Sequence, residues 1–325
     1  MIEIKLTFPP PWPLKRQTPN HSAVWDNCRF FINQPIKKCD YWVVFEGLTK
    51  TEKTICPKEN IILITGEPPT LKQYRQHYIN QFHTVITCHQ DMRHPHVIHQ
   101  QQGFPWHIGR KQQNHVNLSW SKDYDELVAM STFPKVKQMS VISSIKDFSE
   151  GHRQRLEFVK ILKNHFGDSI DVFGRGLQEI EDKWDALAPY KYHIALENAY
   201  LDDWWTEKLA DPFLAGCYPI YYGCPNIEKY FDQAALTQID ITQPEQAIQI
   251  IESCLNESKY EHAQKKIEEA RLLVLNRYNL FPMLCEYVNN NEINLRDVQY
   301  GTVIIIKESS RYLFMKSLFR RLFSH

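Results

Sequence analysis

The stretch that decides the fold is YHIALENAYLDDWWTEKLADPFLAGCYPIYYGCPNIEKY, residues 192–230. Its first part, residues 192–196, is mostly apolar and predicts a buried strand, and the run CYPIYYG at 217–223 predicts a second strand. Between the two strands, residues 206–208 open an apolar helix that stops near Gly216. A strand, a helix and a second strand in this order are typical of a parallel sheet covered by helices.

Polar side chains gather where the first of these strands ends and where the helix begins. Glu197 and Asn198 follow the strand, and Thr206, Glu207 and Lys208 start the helix. Ligands of α/β sheets bind at the carboxyl ends of strands, and a helix N-terminus attracts anions. These residues therefore predict a site for a phosphorylated ligand. The alternative is a solvated helix start, because Thr206 is also a suitable N-cap.

The composition limits the class of protein. The chain has 325 residues, enough for two domains, and 43% of them are hydrophobic. Lys+Arg and Asp+Glu both total 38, so the overall charge does not favour a nucleic-acid partner. The eight Cys include no CxxC pair, and no apolar run approaches the roughly 20 residues of a membrane span. The first residues lack the pattern of a signal peptide. We expect a cytoplasmic protein with reduced thiols.

Both halves of the chain alternate strands with helices or polar connections. In the first half we predict strands at 2–8, 41–47, 60–69 and 82–89 and a helix at 70–81. In the second half we predict strands at 137–144 and 169–174 and helices at 151–164, 206–214, 243–256 and 261–276. Residues 112–135 are polar and predict an irregular link. We therefore predict an α/β fold with an N-terminal domain at 1–125 and a C-terminal domain at 126–300.

The last residues, 301–325, are predicted to form a separate basic tail. From residue 307 onwards, five Lys or Arg stand against one Glu, and apolar residues recur at helical spacing. A basic amphipathic helix of this kind can lie on an anionic bilayer. A terminal helix docked on its own protein has the same pattern. The tail at 307–325 therefore predicts either peripheral membrane contact or an internal contact.

The order of residues in the first stretch resembles glycosyltransferase family 10, the α-1,3/1,4-fucosyltransferases, in its bacterial form. The matching residues are Glu197-Asn198, Asp203-Trp204-Trp205-Thr206-Glu207-Lys208, Gly216, Pro219 and Gly223. Trp204 and Trp205 stand where the family usually has Tyr and Val. The resemblance implies a GT-B fold, in which two Rossmann-like α/β/α domains face each other across a cleft. It assigns the acceptor to residues 1–125 and the nucleotide-sugar donor to residues 126–300.

The resemblance also implies a reaction. The family transfers L-fucose from GDP-fucose to a glycan hydroxyl with inversion, and it requires no cofactor and no bound metal for the chemistry. The expected acceptor is a GlcNAc- or Glc-containing surface polysaccharide or lipopolysaccharide, fucosylated in α-1,3 linkage at the inner face of the plasma membrane. Two alternatives stay open. One is the same fold with another nucleotide sugar, and the other is a catalytically silent glycan- or nucleotide-binding protein.

Site residues follow from the family positions. The resemblance implies that the donor is bound by Arg155, Glu197, Asn198, Trp204, Thr206, Glu207 and Lys208. Arg155 and Lys208 would hold the diphosphate, with Arg153 as the substitute for Arg155 if the register shifts by two residues. Of the two adjacent tryptophans, Trp204 and Trp205, we expect one to face the core and the other the ligand.

The candidate for the catalytic base is Glu67 in ILITGEPP. It follows an apolar strand and precedes two prolines that restrict the backbone. The family has a similar strand followed by a carboxylate in its acceptor domain, and inversion needs one base for the acceptor hydroxyl. Glu46, at the end of another predicted strand, ranks second because no proline follows it.

Two further patterns do not predict a site. Phe173 to Gln178 contains Gly-x-Gly but lacks the third glycine of a dinucleotide fingerprint. His94, His96 and His99 are spaced like metal ligands but lack a Cys or HExxH partner, so a polar surface loop is the favoured interpretation.

Overall fold

The computed structural model describes residues 1–9, 12–113, 116–145, 149–291 and 298–308. Its strands are β1 (Ile2–Thr7), β2 (Val24–Trp25), β3 (Cys28–Ile32), β4 (Tyr41–Phe45), β5 (Glu52–Pro57), β6 (Ile61–Ile64), β7 (Thr84–Thr87), β8 (Val97–His99), β9 (Arg110–Gln113), β10 (Val116–Trp120), β11 (Lys137–Ile142), β12 (Ile170–Phe173), β13 (Tyr190–Leu196), β14 (Tyr218–Tyr222), β15 (Thr237–Gln238) and β16 (Tyr300–Ile305). Its helices are α1 (Gln76–Ile79), α2 (Tyr124–Ala129), α3 (Glu150–Phe166), α4 (Glu207–Leu214), α5 (Pro244–Asn256), α6 (Lys259–His262), α7 (Gln264–Asn276) and α8 (Leu280–Asn290).

The described residues divide into two compact units. The first unit takes its residues from Met1–Pro11, Asp26–Gln102 and Val288–His325, and the second unit takes them from Trp12–Trp25 and Gly103–Tyr287. The domain boundaries predicted at 125/126 and 300/301 differ from the boundaries between these two units. The second unit begins earlier in the chain, and residues near the C-terminus belong to the first unit.

The first unit is built on a parallel sheet. Its strands follow the order β3-β1-β4-β6-β7-β8, and each neighbouring pair is parallel. The central strands β4, β6 and β7 are buried at every position, which is why their sequences are continuous apolar runs without alternation. A separate antiparallel pair, β5 and β16, packs Val303 and Ile305 against the same core as Trp42 and Leu63.

The second unit is a five-stranded parallel sheet in the order β12-β11-β13-β14-β15. Successive residues of β13 point to opposite faces, as the pleat requires. Ile194 packs with residues of α3 and α5, whereas Ala195 packs with residues of α4 and α7. Helices thus cover both faces of the sheet. The predicted α/β class with two Rossmann-like units is confirmed.

Two predictions about irregular and helical segments were wrong. Residues 112–135, predicted to be an irregular link, contain part of the β9–β10 hairpin and helix α2. Helix α2 has a capping box in which Asp123 and Glu126 exchange side-chain to backbone hydrogen bonds, a local signal that the polar composition concealed. The helix predicted at 70–81 shrinks to the four residues of α1, because the segment before it forms a turn in which Leu71 donates to the Pro68 carbonyl.

The predicted tail also begins differently. Tyr300–Ile305 forms strand β16 and pairs in register with β5, so residues 301–305 are part of a sheet. The amphipathic helix predicted from residue 307 onwards falls almost wholly on residues 309–325, which lie outside the described residues. In the described part of the chain, no helix combines the length and the apolar character needed to cross a membrane.

Candidate active site

A pocket of about 410 Å³ opens at the carboxyl end of the second unit's sheet, where β11, β12 and β13 end. Its lining lies within this unit and consists of His107, Ile142, Ser143, Ser144, His152, Arg155, Gly174, Arg175, Lys183, Leu187, His193, Ala195, Leu196, Asn198, Glu207, Lys208, Asp211 and Pro212. Four of the residues predicted to bind a donor therefore line one pocket: Arg155, Asn198, Glu207 and Lys208. Arg153 does not line it, and its guanidinium contacts Glu150 at 2.7 Å.

Glu197 anchors the loop between β13 and α4 from beneath the pocket. Its side chain has no solvent exposure, and its Oε1 accepts hydrogen bonds from the Thr206 backbone N–H at 2.7 Å and from Thr206 Oγ1 at 2.8 Å. Its Oε2 lies 3.3 Å from Nζ of Lys208. Burial lowers the pKa of Lys208, but the carboxylates of Glu197 and Glu207 outweigh burial and raise it. Lys208 is therefore a positive charge in the first turn of α4 at neutral pH.

Two glycines let the backbone come close enough to form the pocket. A Cβ on Gly151, in the first turn of α3, would lie 2.1 Å from the carbonyl oxygen of Asn198. A Cβ on Gly223, after β14, would lie 2.5 Å from Cγ of Glu197 and 2.5 Å from Oη of Tyr221. Larger residues at either position would displace the loop that carries Glu197 and Asn198.

Three buried polar atoms of the pocket lining lack a hydrogen-bond partner among the described residues. They are Nε of Arg155, Oδ1 of Asn198 and Oγ of Ser143. Arg155 is only 5% exposed and Ser143 only 4%. Burial lowers the pKa of Arg155, although nearby Glu197 and Glu207 oppose this effect. An unsatisfied buried polar atom costs about 1–3 kcal/mol, and a ligand that supplies the missing partners recovers this cost.

Glu207 lies among several nitrogen atoms. Its Oε1 is 3.3 Å from Nζ of Lys208, 3.5 Å from Nδ1 of His107 and 3.6 Å from Nζ of Lys183. Burial raises the pKa of Glu207, but His107 and the two ammonium groups hold it well below its ordinary value. Glu207 is therefore an ionised hydrogen-bond acceptor beside the pocket.

Of the two adjacent tryptophans, one was predicted to face the core and the other the ligand. Trp204 and Trp205 are both buried, with exposures of 3% and 4%. Trp204 packs edge to face on Phe104 at 5.0 Å, and it does not line the pocket. Trp205 packs on Tyr230 and Phe231 in the core. The role of Trp204 in donor binding stays a prediction.

Glu67 belongs to the first unit, near the carboxyl end of β6. Its side chain is half-buried, and its carbonyl oxygen accepts a hydrogen bond from Nε2 of His89 at 3.0 Å. Glu46 directly follows β4, the neighbouring strand, and has a φ of 62°, a conformation that is uncommon outside glycine. Both predicted base candidates therefore lie at strand ends of one sheet.

Sequence reasoning missed several residues that line the pocket. His107, Lys183 and Asp211 lie beside Glu207, and His152 lies 3.4 Å from the amide nitrogen of Asn198. Asp211 could have been found, because it lies four residues after Glu207 on the same helix face. His107 and Lys183 carry no local signal, since they come from segments far away in the chain.

The histidines at 94 and 96 make local contacts, and His99 is the last residue of β8. Nε2 of His94 lies 3.1 Å from the carbonyl oxygen of Phe82, and the ring of His96 stacks on that of His83 at 4.3 Å. Over the described ranges, no three His, Cys, Asp or Glu side chains are grouped so that they could hold a metal ion.

The fold and the pocket define an α/β protein with a cationic site at the carboxyl ends of parallel strands, a place where phosphorylated ligands bind. Residues 134–293 match the family model described as glycosyltransferase family 10 (fucosyltransferase) C-terminal domain. The predicted resemblance to this family is confirmed over these residues, which make up just under half of the chain.

Curated relatives and solved structures are also similar to parts of the chain. GDP-fucose protein O-fucosyltransferase 3 of Danio rerio is 41% identical over 71 residues, which is 22% of this chain and 14% of the relative. The Mus musculus protein of the same name is 28% identical over 118 residues, covering 36% of this chain and 22% of the relative. The chain thus spans less than a quarter of the length of these relatives. A crystal structure of α1,3-fucosyltransferase with GDP-fucose has 16% identity and a TM-score of 0.47, with 86% of this chain and 92% of that chain covered.

Proposed function

We propose that the chain transfers L-fucose from GDP-fucose to an acceptor hydroxyl with inversion at the sugar carbon. One observation carries the proposal: Arg155, Asn198 and Ser143 each present a buried polar atom without a protein partner, among the described residues, to one pocket. Nε of Arg155 is a hydrogen-bond donor, Oγ of Ser143 can donate or accept, and Oδ1 of Asn198 is an acceptor. A nucleotide sugar has both the phosphate oxygens and the hydroxyl groups that satisfy such a set.

The cations of the pocket suit the departing diphosphate. Lys208 is charged and lies at the N-terminus of α4, where backbone N–H groups and the helix dipole add positive potential. Arg155 adds a guanidinium that can bind two oxygens at once. We propose that these two groups stabilise the negative charge that develops on GDP as the bond to fucose breaks. A metal ion is then not required for the chemistry, and we expect transfer to persist in the presence of EDTA.

The acceptor hydroxyl needs a base. We propose that the carboxylate of Glu67 takes its proton while the acceptor oxygen attacks the anomeric carbon of fucose and GDP departs with the electron pair of the broken bond. Proline follows Glu67 at two positions, which restricts the backbone that carries the carboxylate. Asn198 and Glu207 bind hydroxyl groups of the donor.

The acceptor is proposed to be a glycan that contains GlcNAc or Glc, within a surface polysaccharide or lipopolysaccharide made on the cytoplasmic side of the membrane. The curated relatives suggest a second candidate, because their name states that they act on protein. A hydroxyl of a protein Ser or Thr would use the same donor site and the same base. The two candidates differ in the acceptor alone.

The test combines binding with transfer. Calorimetry of the full chain with GDP should show binding. UDP and other nucleotides serve as controls for the preference for guanine. Transfer is then measured with GDP-fucose, GDP-mannose and UDP-sugars, first onto a glycan array and then onto folded acceptor proteins. If the folded protein does not bind GDP, the proposed function is wrong. If another nucleotide sugar is transferred in preference to GDP-fucose, that sugar is the donor. If the protein binds GDP but transfers fucose to no acceptor, a catalytically silent binding protein is favoured.

A further inference from the structure

Lys183 lies between two carboxylates of helix α4. Its Nζ is 3.3 Å from Oδ2 of Asp211 and 3.6 Å from Oε1 of Glu207. The side chain of Lys183 is 24% exposed, whereas those of Glu207 and Asp211 are 12% and 2% exposed. A long, flexible lysine side chain placed this way is held by charge on both sides, and it lines the same pocket as Lys208 and Arg155.

The backbone around Lys183 is also held. Oδ1 of Asp182 accepts hydrogen bonds from the Gly109 N–H at 2.8 Å and from the Trp184 N–H at 2.9 Å, which fixes the start of the short helical turn that Lys183 opens. Oδ1 of Asp211 accepts a hydrogen bond from the His107 N–H at 3.0 Å. Segments near 108, 183 and 211 are thereby tied together, and the ammonium group of Lys183 has little freedom to leave.

The effect of this arrangement falls on Glu207. Without Lys183, the charge of Glu207 would be balanced chiefly by Lys208, the cation that the donor diphosphate needs. With Lys183 in place, Asp211 anchors the ammonium group, and the Glu207 carboxylate is shared between two lysines. Lys208 is then less strongly engaged by Glu207, and Glu207 keeps one orientation beside the pocket.

We propose that Lys183 is a positioning residue of the donor site, which orients the Glu207 carboxylate and leaves Lys208 available for the diphosphate, with Asp211 as its anchor. This inference rests on the proposed function. Lys183 itself lies outside the stretch 192–230 that holds the residues of the family resemblance, and the proposal assigns it no direct contact with the reacting atoms.

The test compares Lys183→Met with Lys183→Arg. Met keeps the length and the apolar stem and removes the charge, whereas Arg keeps the charge. For Lys183→Met we expect kcat/KM for GDP-fucose to fall about tenfold or more, the effect of one charge-assisted hydrogen bond. Lys183→Arg should retain activity within about threefold, since it can still contact both carboxylates. Lys160→Met, on the exposed face of α3, is the control and should match the wild type.

A pH profile separates positioning from a merely structural role. Charged or titratable groups near Glu207 are His107, Arg155, Lys183, Glu197, Lys208 and Asp211. Removing the positive charge of Lys183 makes Glu207 easier to protonate. The acid limb of the kcat/KM profile should therefore move to higher pH in Lys183→Met, by about half a unit or more, and should stay in place in Lys183→Arg.

The outcomes are distinguishable. If wild-type protein binds GDP and transfers fucose while Lys183→Met has the same kcat/KM and the same acid limb, the positioning role is excluded and the proposed function stands. If Lys183→Met loses only thermal stability, the ion pair with Asp211 is structural and the inference is again wrong. If Lys183→Met fails to fold, Lys183→Arg and Asp211→Asn replace it in the test. The inference then requires that Lys183→Arg is active and that Asp211→Asn has a lowered kcat/KM. If wild-type protein binds no GDP, the proposed function fails, and this role fails with it.

Discussion

The ammonium nitrogen of Lys208 lies 3.3 Å from Oε2 of Glu197, a carboxylate with no solvent exposure. The same Glu197 accepts two hydrogen bonds from Thr206, so one buried side chain fixes both the N-cap of α4 and the cation of its first turn. A lysine fixed in this way loses less side-chain freedom when it binds an anion. The loop after β13 and the start of α4 are therefore preorganised for the phosphate binding that we propose.

Lys208→Ala should weaken GDP binding by about 1.5–3 kcal/mol, the cost of one charge-assisted hydrogen bond to phosphate. Calorimetry on folded protein measures the change. Lys160→Ala removes a lysine from the exposed face of α3 and serves as the control. Equal GDP affinities for the wild type and Lys208→Ala would show that the diphosphate binds elsewhere.

Glu67→Gln should lower the rate of transfer by about 10²–10⁴-fold, because the amide cannot accept the proton of the acceptor hydroxyl. GDP affinity should stay close to the wild-type value, since Glu67 belongs to the first unit and the donor pocket is lined by the second. Glu59→Gln alters an exposed carboxylate of the first unit and should retain full activity. Normal turnover of Glu67→Gln would transfer the role of base to another residue, with Glu46 as the first to examine.

Gly151→Ala should reduce the free energy of unfolding by about 1–3 kcal/mol, as overpacking does. Alanine is favoured over glycine in a helix by about 1 kcal/mol, but here its Cβ would lie 2.1 Å from the backbone oxygen of Asn198. GDP affinity should fall as well, because the clash displaces Asn198. In Gly301→Ala the new Cβ meets nothing within 4 Å, and stability should change by less than about 0.5 kcal/mol. Urea unfolding measures both variants. Equal stability of Gly151→Ala and Gly301→Ala would contradict the close approach of Gly151 to the backbone of Asn198.

Asp211→Asn should change how stability depends on pH. Burial raises the pKa of Asp211 to about 6 from 3.8, so the folded protein holds this proton more tightly than the unfolded chain. Its contribution to the free energy of unfolding is thus fully present below about pH 4 and is lost as pH rises through about 6. Relative to Asp211→Asn, the wild type should lose stability over this interval, which urea unfolding at several pH values measures. The exposed Asp168, replaced by Asn, should give a curve parallel to the wild type. If the wild type and Asp211→Asn differ in free energy of unfolding by the same amount at every pH, the pKa of Asp211 is not raised in the folded protein.

Much of the fold could be predicted because its signals are local. Continuous apolar runs predicted β4 and β6, since a strand buried on both faces has no polar position to interrupt it. Thr206 predicted the start of α4, because an N-cap is defined by contacts within one turn. The hairpin β9–β10 and helix α2 were missed, because their polar composition hid the pairing and the capping box.

By itself, the sequence determined the alternation of strands and helices and the residues that stand at strand ends, because periodicity and caps depend on neighbours in the chain. It also supplied the family pattern from Glu197 to Lys208. The tertiary structure alone decided that Lys183 lies beside Glu207, that Asp211 anchors it, and that Trp204 is buried rather than exposed to the pocket. Ion pairs and burial between distant segments depend on how the elements pack, and no local pattern records the distance between two charges until the chain has folded.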